Sequence, residues 1–70
     1  MRQRVPPRFI YLTDENGLSV GINPHSISYY RVNRLDRSKT IVWVNRGNDE
    51  YKYAVQESFA QVKQQVERCR

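Results

Sequence analysis

The chain has 70 residues, with twelve Lys and Arg against seven Asp and Glu, a net charge of +5 at neutral pH and a single cysteine. That length allows one domain with a thin core, and a lone Cys69 excludes an internal disulfide. Cys69 and His25 fall short of the roughly four Cys or His ligands of a structural zinc site, so self-association remains the open route to extra stability.

Residues 1–8, MRQRVPPR, are rich in Arg and Pro and read as a basic N-terminal arm ahead of one domain over 9–70. The opening lacks the apolar h-region of a secretory signal, and no run approaches the roughly 20 apolar residues of a membrane span. The expectation is a cytoplasmic domain, with which a free thiol agrees.

RFIYLT is β-rich, with Ile10 and Leu12 opposed to Phe9 and Tyr11. It stops at DENG, a hairpin signal that offers Gly17 for positive φ. Leu18, Val20 and Ile22 then alternate with Ser19 and Gly21, the period of a half-buried strand. Asn23–Pro24 ends that strand, because proline lacks a ladder N–H and restricts the residue before it.

Ile27 to Asn33 reads as a third strand, with Ile27, Tyr29 and Arg31 on one side and Tyr30 and Val32 on the other. RLDRSK is a charged loop, and TIVWVN is the strongest strand in the chain. RGND turns it back into EYKYAV, which puts Tyr51, Tyr53 and Val55 on one face. The ending SFAQVKQQVERCR changes period: Phe59, Val62, Val66 and Cys69 form one helical stripe. Ser58 followed by Gln61 is a capping box, and Arg68 and Arg70 suit the helix C-terminus.

The predicted fold is therefore α+β: a small curled antiparallel sheet of four to five strands, partly barrel-like, with one C-terminal helix. Ile41 and Trp43 point away from Val42 and Val44, so the sheet has two apolar faces and a single helix to cover them. A homo-oligomer or a partly closed barrel would cover the surplus.

Three linked signatures run through the chain: IYLTDENG, VGINPHSI and YAVQESFAQV. In that order and spacing they resemble the FlbD-like family of small bacterial and phage proteins, over roughly residues 9 to 66. The basic arm and the longer charged loops RLDRSK and NRGNDE depart from the family pattern. The resemblance implies a small cytoplasmic protein, in some cases flagellum-related, without catalytic residues or cofactor.

The residues themselves point the same way. Asn23, Pro24 and His25 suit an Asx-type turn, and a lone histidine lacks the partners of base catalysis. Gly17, Asn23, Pro24 and Glu57 belong to the fold, and Ser58 is a helix cap rather than a nucleophile. Cys69 lies at a helix C-terminus, where the dipole disfavours a thiolate. The expectation is no enzyme, no metal and no cofactor.

Binding is the remaining class. Phe9, Tyr11, Trp43, Tyr51 and Tyr53 are the candidate interface residues, for protein contact and self-association. The alternative is an anionic partner, nucleic acid or a nucleotide, held by Tyr29, Arg31, Arg34, Arg37, Lys39 and Arg46. With suitable strand pairing Tyr29 would share a face with Tyr51 and Tyr53, and in an oligomer neighbouring copies would bring rings and guanidinium groups into one interface pocket.

Overall fold

The computed structural model describes residues 9–69, so the predicted arm over 1–8 lies outside the described residues. Two short strands, β1 (Ile10–Thr13) and β2 (Ser19–Ile22), open the chain as an antiparallel hairpin. Its turn is built by Asp14: one carboxylate oxygen accepts the backbone N–H groups of Asn16 and Leu18, both at 2.9 Å. Gly17 supplies φ +84°, which only glycine adopts without strain. Leu18 lies in this turn and is 64% exposed, so the inward face of β2 begins at Val20 and not at Leu18. Across the hairpin the Tyr11 ring lies over Gly21, where a Cβ would stand 3.1 Å from Cε1 of the ring.

At Asn23 the side-chain oxygen accepts the N–H of His25 at 2.9 Å, starting the 3-10 turn Pro24–Ser26. This is the Asx geometry predicted for the NP pair, with Pro24 buried beneath it. The chain then forms a second antiparallel sheet in the order β3 (Ile27–Val32), β4 (Thr40–Arg46), β5 (Asp49–Val55). Simple alternation put Ile27, Tyr29 and Arg31 on one side, and the structure corrects this. Ile27 pairs with Val44 and Tyr29 with Trp43, so two steps on β3 match one on β4. Ser28 is the extra residue of a β-bulge, which reverses the phase of the strand. Ile27 is buried in the core while Tyr29 and Arg31 point away from it.

The α+β class, the antiparallel strands and the one C-terminal helix are as the sequence predicts. The strands divide into a two-stranded and a three-stranded sheet, and the barrel is not closed. The sheets meet at one corner, where Asp14 and Val55 form an isolated bridge and the Gln56 N–H donates to the Thr13 carbonyl at 2.8 Å. Helix α1 (Phe59–Cys69) packs against β1 and β3. Its start is the predicted capping box: the Ser58 N–H donates to Gln61 Oε1 at 2.9 Å, and the Gln61 N–H donates to Ser58 Oγ at 3.2 Å.

The core is one cluster drawn from every layer: Ile10, Leu12 and Ile22 of the hairpin, Ile27, Val42, Val44 and Val55 of the sheet, and Val62 and Val66 of the helix. Hairpin and helix thus lie on the same, inner side of the three-stranded sheet. Glu57 joins the layers by hydrogen bonds. Its carboxylate accepts the Thr13 N–H at 2.9 and 3.1 Å and the Thr13 hydroxyl at 2.9 Å. Its carbonyl accepts the hydroxyl of the fully buried Thr40 at 2.8 Å.

Two substitutions test this packing. Val62→Asp places an unpaired carboxylate at a site with no solvent access; the expected far-UV circular dichroism is that of an unfolded chain at 25 °C. Glu57→Gln keeps the shape but removes the charged acceptor, a loss of about 1.5–3 kcal/mol for bonds to an ionised group. Thermal unfolding should fall by roughly 10 °C in a domain of this size.

Candidate functional site

The face of the three-stranded sheet turned away from hairpin and helix carries Tyr29 and Arg31 from β3, Ile41, Trp43 and Asn45 from β4, and Glu50, Lys52 and Ala54 from β5. None belongs to the core cluster. At its centre the Tyr29 and Trp43 rings stack with centroids 4.4 Å apart and planes 10° from parallel. They are directly opposed across the β3–β4 pair, the position where cross-strand side chains interact most strongly. The Arg31 guanidinium carbon lies 5.4 Å from the centre of the Trp43 ring, within cation–π reach. Lys52 flanks Trp43 from the other side as its partner on β5. Trp43, Ile41 and Ala54 are half-buried, and Tyr29 keeps 51% of its surface exposed.

The predicted anion-binding residues do not all converge. Tyr29 and Arg31 share this face, and Arg34 and Arg37 lie in the loop that leaves β3 beside Arg31. That loop is held in shape from within. Asn33 Oδ1 accepts the Leu35 N–H at 2.9 Å, and Asp36 Oδ1 accepts the Ser38 N–H at 3.1 Å and its hydroxyl at 2.6 Å. The Ser38 hydroxyl and N–H, followed by the Lys39 charge, hold the Asp36 carboxyl below its usual range. Lys39 is engaged with Asp36 at 3.6 Å, the one ion pair among the described residues. Arg31, Arg34, Arg37 and Lys52 form none with any described residue. Arg46 departs from the set: it alternates with Asn45 onto the inner side and lies 5.6 Å from the Tyr51 ring centre.

The predicted tyrosine platform is likewise corrected. Tyr51 and Tyr53 pair with Val44 and Val42, so they share the inner side, and the Ser28 bulge sends Tyr29 to the outer one. Tyr53 packs against the core cluster. The interface candidates therefore scatter. Trp43 is on the outer face, Tyr11 is exposed on the hairpin, and Tyr51 stands at the β4–β5 hairpin end. Phe9 stands at a cleft of about 210 Å³ shared with Asn23, Arg46 and Tyr53. Gly17, Asn23, Pro24 and Ser58 take the turn and cap positions expected of them.

Lys52 and Ile41 escaped the sequence reading as members of the site. Their alternation with Tyr51 and Tyr53, and with Val42, was visible. What assigned that parity to the face of Trp43 is the strand register, which the sequence does not state. Compared with family models, with curated proteins and with solved structures, the chain matches none.

Trp43 is the sole tryptophan, which makes the stack directly observable. Tyr29→Ser should shift Trp43 emission to the red, raise its quenching by acrylamide and weaken near-UV circular dichroism. The far-UV spectrum should stay unchanged, since Tyr29 lies outside the core.

Proposed function

We propose that this chain is a non-catalytic binding module that docks a macromolecular partner on the outer face of its three-stranded sheet. The Tyr29–Trp43 stack carries this reading: an aromatic centre stands on a face that no described element of the chain covers. An apolar, aromatic centre inside a polar rim is the anatomy of recognition surfaces, where aromatic and Arg residues dominate the energy. Asn45, Glu50, Arg31 and Lys52 make up that rim. His25 is exposed in its turn, and the polar groups of Glu57 and Ser58 are committed to Thr13 and Gln61. These groups support contact rather than chemistry as the mode of action. The motif order that resembles the FlbD-like family supports the same non-catalytic reading.

Protein contact and self-association form part of the proposal, with a second observation behind them. Phe9 and Tyr11 alternate with the buried Ile10 and Leu12 and keep large exposed ring surfaces on a domain with a thin core. Among the described residues no helix is long and apolar enough to cross a membrane.

Native mass spectrometry of the purified chain, alone and after mixing with a cell extract, tests the reading. The expected result is a bound mass, another copy or a second molecule, that Ile41→Lys combined with Tyr29→Ser removes while the fold persists. A partner retained unchanged by that double variant overturns the outer face as the docking surface.

A further inference from the structure

We infer that the outer face takes single-stranded nucleic acid, with bases stacking on the exposed side of the Tyr29–Trp43 pair and phosphates held by Arg31, Lys52, Arg34 and Arg37. The inference rests on the docking face proposed above and names its occupant. Three observations favour this occupant over a protein surface.

The first is charge. Four cations on or beside the face have no ion-pair partner among the described residues, and Glu50 is the lone acid on the face itself. Asp36, the acid in the adjoining loop, is occupied by Ser38 and Lys39. Protein interfaces tend to balance their charges across the partner, whereas a surplus of unpaired cations beside aromatic rings is what a phosphate backbone requires.

The second is the geometry of the rings. One side of Tyr29 is taken by Trp43, and half of its surface remains open on β3, an edge strand of the sheet. A base can extend the existing stack from that side without either ring moving. The Arg31 guanidinium near Trp43 is already placed to pair with a phosphate and to stay over a π-face.

The third is the form of the loop. Side-chain caps at Asn33 and Asp36 fix the turn of the loop that follows Arg31 and the end of β3, and this shaped loop carries the exposed Arg34 and Arg37. A sheet surface with stacked rings reads unstacked bases, and a duplex offers it none; a duplex reader needs an element that enters a groove. The strand is therefore single, and the recognition is tolerant of sequence.

The test uses the full chain and a labelled oligothymidylate of about 12 nucleotides, within the usual site sizes of such proteins, beside a duplex of equal length. Fluorescence anisotropy and Trp43 emission are read from 50 to 200 mM salt, the range over which counterion release is plain. The expected results are preference for the single strand, quenching of Trp43, and a log–log salt slope of about −3 for four phosphate contacts at about −0.7 each. Tyr29→Ala should weaken binding by roughly five- to 150-fold with the slope unchanged, as loss of one stacked base does. Lys52→Gln, an exposed change that leaves the core alone, should instead flatten the slope by about 0.7.

Equal affinity for duplex and single strand, without Trp43 quenching and indifferent to Tyr29→Ala, overturns the inference as diffuse charge attraction. No nucleic-acid binding, with Tyr29 and Ile41 still needed for a defined multimer or a protein partner, overturns the occupant and leaves the docking face standing. No nucleic-acid binding, with neither residue needed for any partner, overturns both.

Discussion

The Glu57 carboxylate, gripped by the backbone and hydroxyl of Thr13, is the joint on which the architecture turns. It sits between the last strand and the helix, and it reaches back to the end of the first strand. Around it the Gln56 N–H meets the Thr13 carbonyl, the Gln56 amide meets the Asp14 carbonyl, and the Thr40 hydroxyl meets the Glu57 carbonyl. Two sheets that share only one isolated bridge are thereby fixed edge to edge. The apolar cluster supplies the driving force for packing, but burial is non-directional. The direction comes from these hydrogen bonds, of which those to the Glu57 carboxylate are charge-assisted, and they set β1 over the β5–α1 corner.

Much of this was legible in the sequence because the relevant signals are local. The hairpin around Gly17, the turn at Asn23–Pro24 and the helix from the Ser58–Gln61 box each follow from neighbouring residues. The core stripe Val62 and Val66 follows from helical period. The position of Glu57 assigns it to the fold, but no local signal names its partner Thr13, 44 residues away. The candidate site was less legible for the same reason. Which tyrosine meets which arginine depends on register and on the Ser28 bulge, and nothing about a serine between Ile27 and Tyr29 announces an unpaired step. The sequence shows the aromatic and cationic residues as types; their grouping depends on long-range pairing, as with Tyr51 and Arg46.

The bulge also separates two demands on β3. Upstream of Ser28 the strand gives Ile27 to the core; downstream it gives Tyr30 and Val32 inward and Tyr29 and Arg31 outward. Without the extra residue, burying Ile27 would drive Tyr29 inward and leave Trp43 without its stacking partner. Tyr30 meets Phe59 of the helix at 5.3 Å, so adjacent tyrosines serve opposite sides of one sheet. One anchors the helix and the other forms the exposed surface.

Every strand ladder in this domain joins sequence neighbours: β1 with β2, β3 with β4, β4 with β5. Such ladders close small loops and form early, since closure entropy grows with loop length and contact order sets folding speed. The corner that joins the sheets is the exception: the Thr13–Glu57 bonds span 44 residues, and the Asp14–Val55 bridge and Gln56–Thr13 bond lie beside them. During synthesis both sheets have their strands before the joint has its second half. The hairpin's apolar side therefore lacks its helical cover, Val62 and Val66, until residues 57–66 join the fold.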